Sequence, residues 1–561
     1  MKTIPLLSRW AMLTMFWWMP LAAQAEGAKT GFLVVAPDRG FLGNQEVHAL
    51  VQDFKKDYLA ALALAGRDYT GVEGEYATYI SRAAQELKKA GATEIVAIPL
   101  FLSASDPVLK RLSSALPAYA SGLSVRWAPA MADDYLVAQI VLDRVTAVSQ
   151  QPDAERLILV GTGAMDEESE KAIKADVNKL LAYVNRYKHF RESESVIYYE
   201  REAEGADKKN QEIKARILAQ VAKQGRTLVV PAFIGPKFDN AMALSAWLEQ
   251  QFKPLQVAYQ KAELLPHPNV LLWLKKTANR SVAATPGEIG VVIMPHGSTQ
   301  PYNDAIERVI TPLASKYRIE MAYGMGDPWI IQDAVARLEQ QGVKRIAFVR
   351  MYALEHHMKP LTDYILGLSD HPPADGHDHG HEAVPPQQIR SAALFSTFGG
   401  YEEYAGIAQV MCERIVEMSK EPSKETVILL AHGSNSDEDN NKWLAIMTGN
   451  IERIKKDPRC VKFKTIRAAT VREDWPEKRK QAVEDVRKMI EDGGKNGRVI
   501  VIANRLYGSG PYKKMLKGLD FELNEKGLVH PVITRWLEEG IGQMTATLAQ
   551  PSNSFQRLAQ Q

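Results

Sequence analysis

Cysteine is nearly absent: Cys412 and Cys460 are the only two in 561 residues. That excludes a disulfide scaffold and any zinc-finger spacing. An oxidising compartment permits a bond between the two, and two separate buried thiols fit the sequence equally well. An excess of one charge is also missing. The formal net charge of +2 gives no electrostatic reason to expect nucleic acid or an anionic membrane surface as partner. No glycine-rich loop has phosphate-cradling spacing, so no nucleotide is expected to drive the chemistry. Beyond the first residues no apolar run is long enough to span a bilayer, and no stable membrane anchor is expected.

The N-terminus has its own pattern. Lys2 and Arg9 precede the short apolar run Trp10–Met19, and small residues stand at Ala23 and Ala25. This is the layout of a secretory signal, residues 1–25, cut after Ala25. The expected location is therefore periplasmic or secreted.

What the chain has in quantity is repetition. An apolar strand leading into an amphipathic helix occurs four times at a period of about 130 residues, far longer than solenoid repeats. The strands are Gly31–Ala36, Leu157–Val160, Gly290–Pro295 and Val427–Ala431. In the first repeat the helix carries Val47, Leu50, Val51, Phe54 and Tyr58 at helical spacing; in the fourth it carries Trp443, Met447, Ile451 and Ile454. A second strand follows in each: Ile95–Phe101, Leu228–Phe233, Ile346–Tyr352 and Val499–Tyr507. Strands alternating with helices predict an α/β fold with parallel sheets covered on both faces. The predicted repeats span 26–150, 151–284, 285–422 and 423–561, with a linker over Ser281–Glu288. A Pro-, His- and Asp-rich segment at 369–388 reads as an exposed insertion in the third repeat.

Two strands end on the same tripeptide, His296-Gly297-Ser298 and His432-Gly433-Ser434. Glycine there lets the chain turn sharply and leaves each His at the strand's C-terminal mouth, where open α/β sheets place ligands. The order of strand, His-Gly-Ser, helix and a strand such as Ile98-Pro99-Leu100-Phe101-Leu102-Ser103 resembles the class II tetrapyrrole chelatases, in particular sirohydrochlorin cobaltochelatases of the CbiX type. Pro266-His267-Pro268 and His530-Pro531, each before an apolar helix, resemble that family's terminal pattern.

The resemblance implies four chelatase-like lobes arranged as two bilobal units in tandem. It also implies insertion of a divalent metal (cobalt, nickel or iron, as substrate) into a sirohydrochlorin-type tetrapyrrole without nucleotide hydrolysis. Neutral imidazole binds such ions and accepts protons near neutrality, which suits both halves of that task. In the family one His comes from the His-Gly-Ser turn and one from beyond the second strand. Here His296 takes the first place and either His356 or His357 the second, with Asp327 as an accessory acid. His432 either contributes across the cleft or is a relic of duplication. Lobes one and two depart from the pattern, with Pro37-Asp38-Arg39 and Thr162-Gly163-Ala164 where His-Gly-Ser would stand. Their half is expected to be degenerate.

His377, His379 and His381 alternate with acidic and glycine residues in the insertion and form a second candidate metal-binding group. The alternative to an enzyme is a non-catalytic periplasmic metal- or tetrapyrrole-binding protein on a decayed chelatase scaffold.

Overall fold

The computed structural model describes residues 29–66, 74–223, 225–255, 257–373, 384–463, 465–495 and 497–551. The leader at 1–25 and the histidines His377, His379 and His381 lie outside the described residues. Among the described residues no helix is long and apolar enough to cross a membrane.

The chain forms four parallel four-stranded sheets flanked by helices. Lobe one contains β1 (Thr30–Pro37), β2 (Ala60–Ala65), β3 (Glu94–Pro99) and β4 (Ser124–Trp127). Lobe two contains β5 (Arg156–Ala164), β6 (Glu192–Tyr199), β7 (Thr227–Pro231) and β8 (Ala258–Tyr259). Lobe three contains β9 (Ile289–Pro295), β10 (Arg318–Met321), β11 (Arg345–Met351) and β12 (Leu394–Phe398). Lobe four contains β13 (Glu425–Ala431), β14 (Thr465–Thr470), β15 (Arg498–Asn504) and β16 (Glu522–Asn524). In every sheet the first strand lies between the second and third, and the fourth is outermost beside the third. The chain therefore reverses direction across the sheet between its first and third strands, and the mouth of that crevice is where ligands bind in open parallel sheets.

Each lobe has a core of its own on one face of its sheet. On the other face, lobes one and two share a single core, as do lobes three and four. The shared cores arise because each lobe's closing helix crosses to its neighbour. Tyr135–Thr146 leaves lobe one and packs on β7 and helix Glu167–Tyr187, while Pro268–Ser281 leaves lobe two and packs on β3 and helix Gly40–Lys55. In the second half, Gly406–Met418 packs on β15, β16 and helix Asp437–Ile454; Pro531–Leu548 packs on β9, β11, β12 and helix Gln300–Ile310. Trp536, Leu537 and Ile541 on the last helix are buried, each contributing about 1.5–3 kcal/mol. Neither lobe of a half keeps its whole core if the other is removed.

The His-Pro pairs start two of these crossing helices. Nδ1 of His267 accepts from Asn269 N at 3.1 Å, and Nδ1 of His530 from Val532 N at 3.2 Å. With proline at the first helical position, which lacks the N–H that would go unpaired, these are helix N-caps. Their Nε2 atoms face Asp143 and Glu413, both at 3.1 Å.

The cysteines are joined. The Cys412–Cys460 disulfide spans 48 residues and ties lobe three's crossing helix to the segment that follows helix Asp437–Ile454 in lobe four.

The insertion is not exposed to its predicted end. Gln388 and Ile389 are buried, because the chain returns from it through the junction between the two halves. Tyr135 Oη donates to Ile389 O at 3.0 Å, Gln139 Nε2 to Gln388 O at 2.7 Å and Asn279 Nδ2 to Ala392 O at 2.9 Å. The Ser281–Glu288 stretch is pinned as well: Ala284 N donates to Ala549 O, and Arg345 reaches Val282 O.

Candidate functional site

The crevice of lobe three lies at the mouths of β9 and β11, whose last residues, Pro295 and Met351, are paired neighbours. His296 follows the first strand directly. His356 and His357 follow the second, in a loop that Arg350 shapes. This arginine is wholly buried; its guanidinium donates to the carbonyls of Glu355 and His357 and to the Glu355 carboxylate. Gly400, at φ +81, lets the neighbouring turn come against the Glu355 backbone; a Cβ there would lie 2.7 Å from Glu355 N.

The two His-Gly-Ser turns share one local geometry. Nδ1 of His296 lies 2.7 Å from Gly297 O, and Nδ1 of His432 lies 2.8 Å from Gly433 O. Gly297 and Gly433 adopt φ of +75 and +86, which turns their carbonyls back toward the preceding rings. A carbonyl can only accept, so Nδ1 carries the proton and the lone pair is on Nε2, the atom free to ligate a metal. In His432, Nε2 faces Asp474 Oδ2 at 2.9 Å. His296 is exposed, and among the described residues its Nε2 has no such partner.

A single run of rings joins lobes three and four. His356 and His357 have centroids 5.0 Å apart, His357 meets the edge of Trp443 at 5.5 Å, and Trp443 stacks on His432 at 6.4 Å with planes 19° apart. Trp475 meets the other side of His432 at 5.7 Å. His356 and His357 belong to lobe three, the two tryptophans and His432 to lobe four. The structure thus brings His432 together with His356 and His357. His296 stands at the adjoining strand end of lobe three without touching that run. Asp327 is placed elsewhere: its Oδ1 accepts from Trp329 N and Ile330 N, capping helix Pro328–Gln340.

Burial sets the protonation of the cluster. It pushes His357 down to about 4, with His356 adding to the effect and Asp439 opposing it. At neutral pH His357 is an uncharged base with a lone pair to offer. Nε2 of His356 is 3.1 Å from Asp439 Oδ1, without the alignment of a hydrogen bond. Asp439 and Asp474 are the acids nearest these rings. The sequence reading passed over both, since Asp439 sits in a helix-start run beginning at Ser436, and Asp474 comes from the mouth of β14, a strand that reading did not use. Trp443 was read as a core residue on helical spacing, which is half of its role.

Among the described residues no three His, Cys, Asp or Glu side chains are close enough to hold a metal as they stand. In lobe four, Arg505 follows β15 where a second imidazole would stand, and it pairs with Glu473. In lobe one, Arg39 fills the corresponding mouth. A cavity of about 70 Å³ beside it is lined by Pro37, Ser103, Thr162 and Phe233 among others; small-molecule sites usually offer roughly 300–1,000 Å³.

Fold and site together describe an α/β protein of four lobes in two pairs, one pair carrying imidazoles at its strand mouths. No family model matches the chain, and no curated protein matches it. Solved structures similar to it include the sirohydrochlorin chelatase SirB from Bacillus subtilis subspecies spizizenii in complex with cobalt, at 16% identity and TM-score 0.31, covering 43% of this chain and 91% of that one. SirB from Bacillus subtilis with Fe3+ is 18% identical at TM-score 0.33, covering 45% of this chain and 96% of its own. A periplasmic binding ribose operon repressor protein from Lactobacillus acidophilus is 13% identical at TM-score 0.22, covering 48% and 94%.

Proposed function

We propose that this protein is an exported chelatase-like protein that inserts a divalent metal (cobalt, nickel or iron) into a sirohydrochlorin-type tetrapyrrole, in the cleft between lobes three and four. The observation that carries this reading is the run His356–His357–Trp443–His432, which crosses from one lobe to the other. Metal insertion requires a base for two pyrrole protons and soft nitrogen donors for an ion that is losing water. His357, held neutral by burial, suits the first task. The Nε2 lone pair of His296, left outward by its Nδ1 contact, suits the second. A flat macrocycle also needs an aromatic surface, and Trp443 and Trp475 supply one beside His432. The Cys412–Cys460 bond suits an oxidising compartment and so favours export.

The test is spectroscopic. Mature protein from Glu26 onward is mixed anaerobically with sirohydrochlorin, and absorbance is followed on adding Co2+, Ni2+ or Fe2+. Metallation faster than the protein-free rate, lost in His296→Ala and in His357→Ala, is the expected result. A second reading rests on the absence of a ready three-ligand group among the described residues: a carrier that binds the macrocycle or its metal complex without catalysing insertion. A spectral shift on binding with no acceleration would establish the carrier and end the enzyme reading for this macrocycle.

A further inference from the structure

Glu402 is completely buried, yet belongs to neither strand mouth. It lies in the turn after β12, and every group its side chain holds comes from lobe four. Its Oε2 accepts from Trp443 Nε1 at 2.7 Å and from Asn504 Nδ2 at 2.9 Å. Its backbone is fixed on both sides, donating to Ala353 O at 3.1 Å and accepting from Asn450 Nδ2 at 3.1 Å. The second carboxyl oxygen, Oε1, is buried without a hydrogen-bond partner. An orphaned buried oxygen is costly, and a lobe-to-lobe contact alone does not require one.

The turn's other acid shows what the arrangement achieves. Glu403 Oε1 accepts from Glu355 N at 3.1 Å, the residue immediately before His356. Two consecutive glutamates therefore fix the two sides of the ring run from one rigid turn. Glu403 sets the loop that carries the imidazoles of lobe three. Glu402 sets the indole against which His357 and His432 both rest.

We infer that Glu402 is a positioning residue of the candidate site: its buried carboxyl orients the indole of Trp443, and that indole spaces the imidazoles of His357 and His432. The metal-handling consequence rests on the function proposed above; the positioning itself does not. In the orientation seen, Trp443 presents its edge side to one imidazole and its face to the other. An indole released from Oε2 can turn about its side-chain torsions and lose both contacts at once. Neither imidazole touches residue 402, so any effect of Glu402 on them passes through Trp443.

The test uses the full mature chain with ¹³Cε1-labelled histidine and ¹⁵Nε1-labelled tryptophan at one fixed pH, without metal. Resonances are assigned through His357→Asn, His432→Asn and Trp443→Phe. Glu402→Leu is expected to move the Trp443 indole signal and both imidazole signals, and Glu402→Gln, which keeps an acceptor, to restore all three. Binding of Co2+ alone, followed by its d–d absorbance, is expected to weaken roughly tenfold in Glu402→Leu, the scale seen when a partner that orients a metal-ligating side chain is removed. In a Trp443→Phe background, Glu402→Leu should add nothing to the imidazole shifts. Unmoved imidazole signals in folded Glu402→Leu, or shifts that add fully in the double variant, overturn the inference. Should Glu402→Leu fail to fold, Trp443→Phe alone decides: unchanged signals from His357 and His432 overturn it. If wild-type protein binds neither Co2+ nor sirohydrochlorin, the functional reading fails, while the resonance comparison still decides the role of Glu402.

Discussion

The guanidinium of Arg39 and the carboxylate of Glu263, 224 residues apart, meet at 3.1 Å with both side chains out of water. Arg39 also pairs with Glu46 at 3.0 Å and donates to the carbonyls of Gly235 and Gly43 at 2.9 and 3.1 Å. It stands at the mouth of β1, the position where β9 and β13 lead into His296 and His432. The two halves therefore share a fold and use its crevice oppositely. One closes the crevice with an internal ion pair between lobes, and the other lines it with imidazole. Loss of His-Gly-Ser in the first half accompanies a replacement contact that welds lobe one to lobe two.

Breaking that weld should be expensive. Arg39→Met leaves Glu263 buried without its cation, and opening a buried pair typically costs about 3–5 kcal/mol. Urea unfolding of Arg39→Met is expected to show a loss of that size. Arg39→Met with Glu263→Gln should lose less than the two single variants summed, because the second change removes the stranded charge. Stability of Arg39→Met within about 1 kcal/mol of wild type, the range of an exposed pair, would contradict a closed crevice.

The disulfide has a measurable consequence through its span alone. Cys412 is on lobe three's crossing helix and Cys460 in lobe four. Closing a loop of 48 residues removes unfolded-state entropy worth about 4 kcal/mol. Cys412→Ala/Cys460→Ala, or reduction of the wild-type bond, is expected to lower stability by up to that amount in denaturant titrations. The loss should come from the second half, with the Arg39-linked first half unchanged. Equal stability of oxidised and reduced protein would show that the crossing helix is held by packing alone.

Much of this architecture was legible in the sequence, for a physical reason: a strand buried on both faces reads as an unbroken apolar run. That is why β1, β5, β9 and β13 and their third-strand partners stood out. The mouths of those strands followed, and with them His296, His356, His357 and His432. Periodicity did not reveal which lobe a helix covers. Tyr135–Thr146 and Pro531–Leu548 carry apolar faces that fit either sheet, so the crossing was invisible. Pairing of Cys412 with Cys460 depends on that crossing and was equally hidden. Asp327 was singled out for standing before a proline, and that placement is the signature of the helix cap it forms. Arg350, Glu402 and Glu403 act through buried hydrogen bonds between distant segments, for which a single sequence carries no spacing rule.

The buried groups of the candidate site predict how stability depends on pH in metal-free protein. His357 is pushed down to about 4 from an ordinary 6.5, by burial first and then by His356. As pH falls from 6.5 to 4 the unfolded chain takes up a proton that the folded chain refuses. Stability is therefore lost across that window, by at most about 3 kcal/mol, and levels off below it. Glu402 runs the other way. Burial raises it from 4.5 to about 8, against the pull of its hydrogen bonds from Trp443 and Asn504. Its contribution is complete below pH 4.5 and is lost as pH rises toward 8. The two slopes oppose each other between 4.5 and 6.5, so these groups leave stability nearly flat there and declining from 6.5 to 8. Urea titrations in EDTA from pH 4 to 9 measure this directly. His357→Asn should remove the acid-side loss and unmask the Glu402 slope from 4.5 upward, while Glu402→Gln should remove the decline above 6.5. If His357→Asn follows the wild-type curve at every pH, His357 is not held neutral, and the proton-accepting role proposed for it loses its basis.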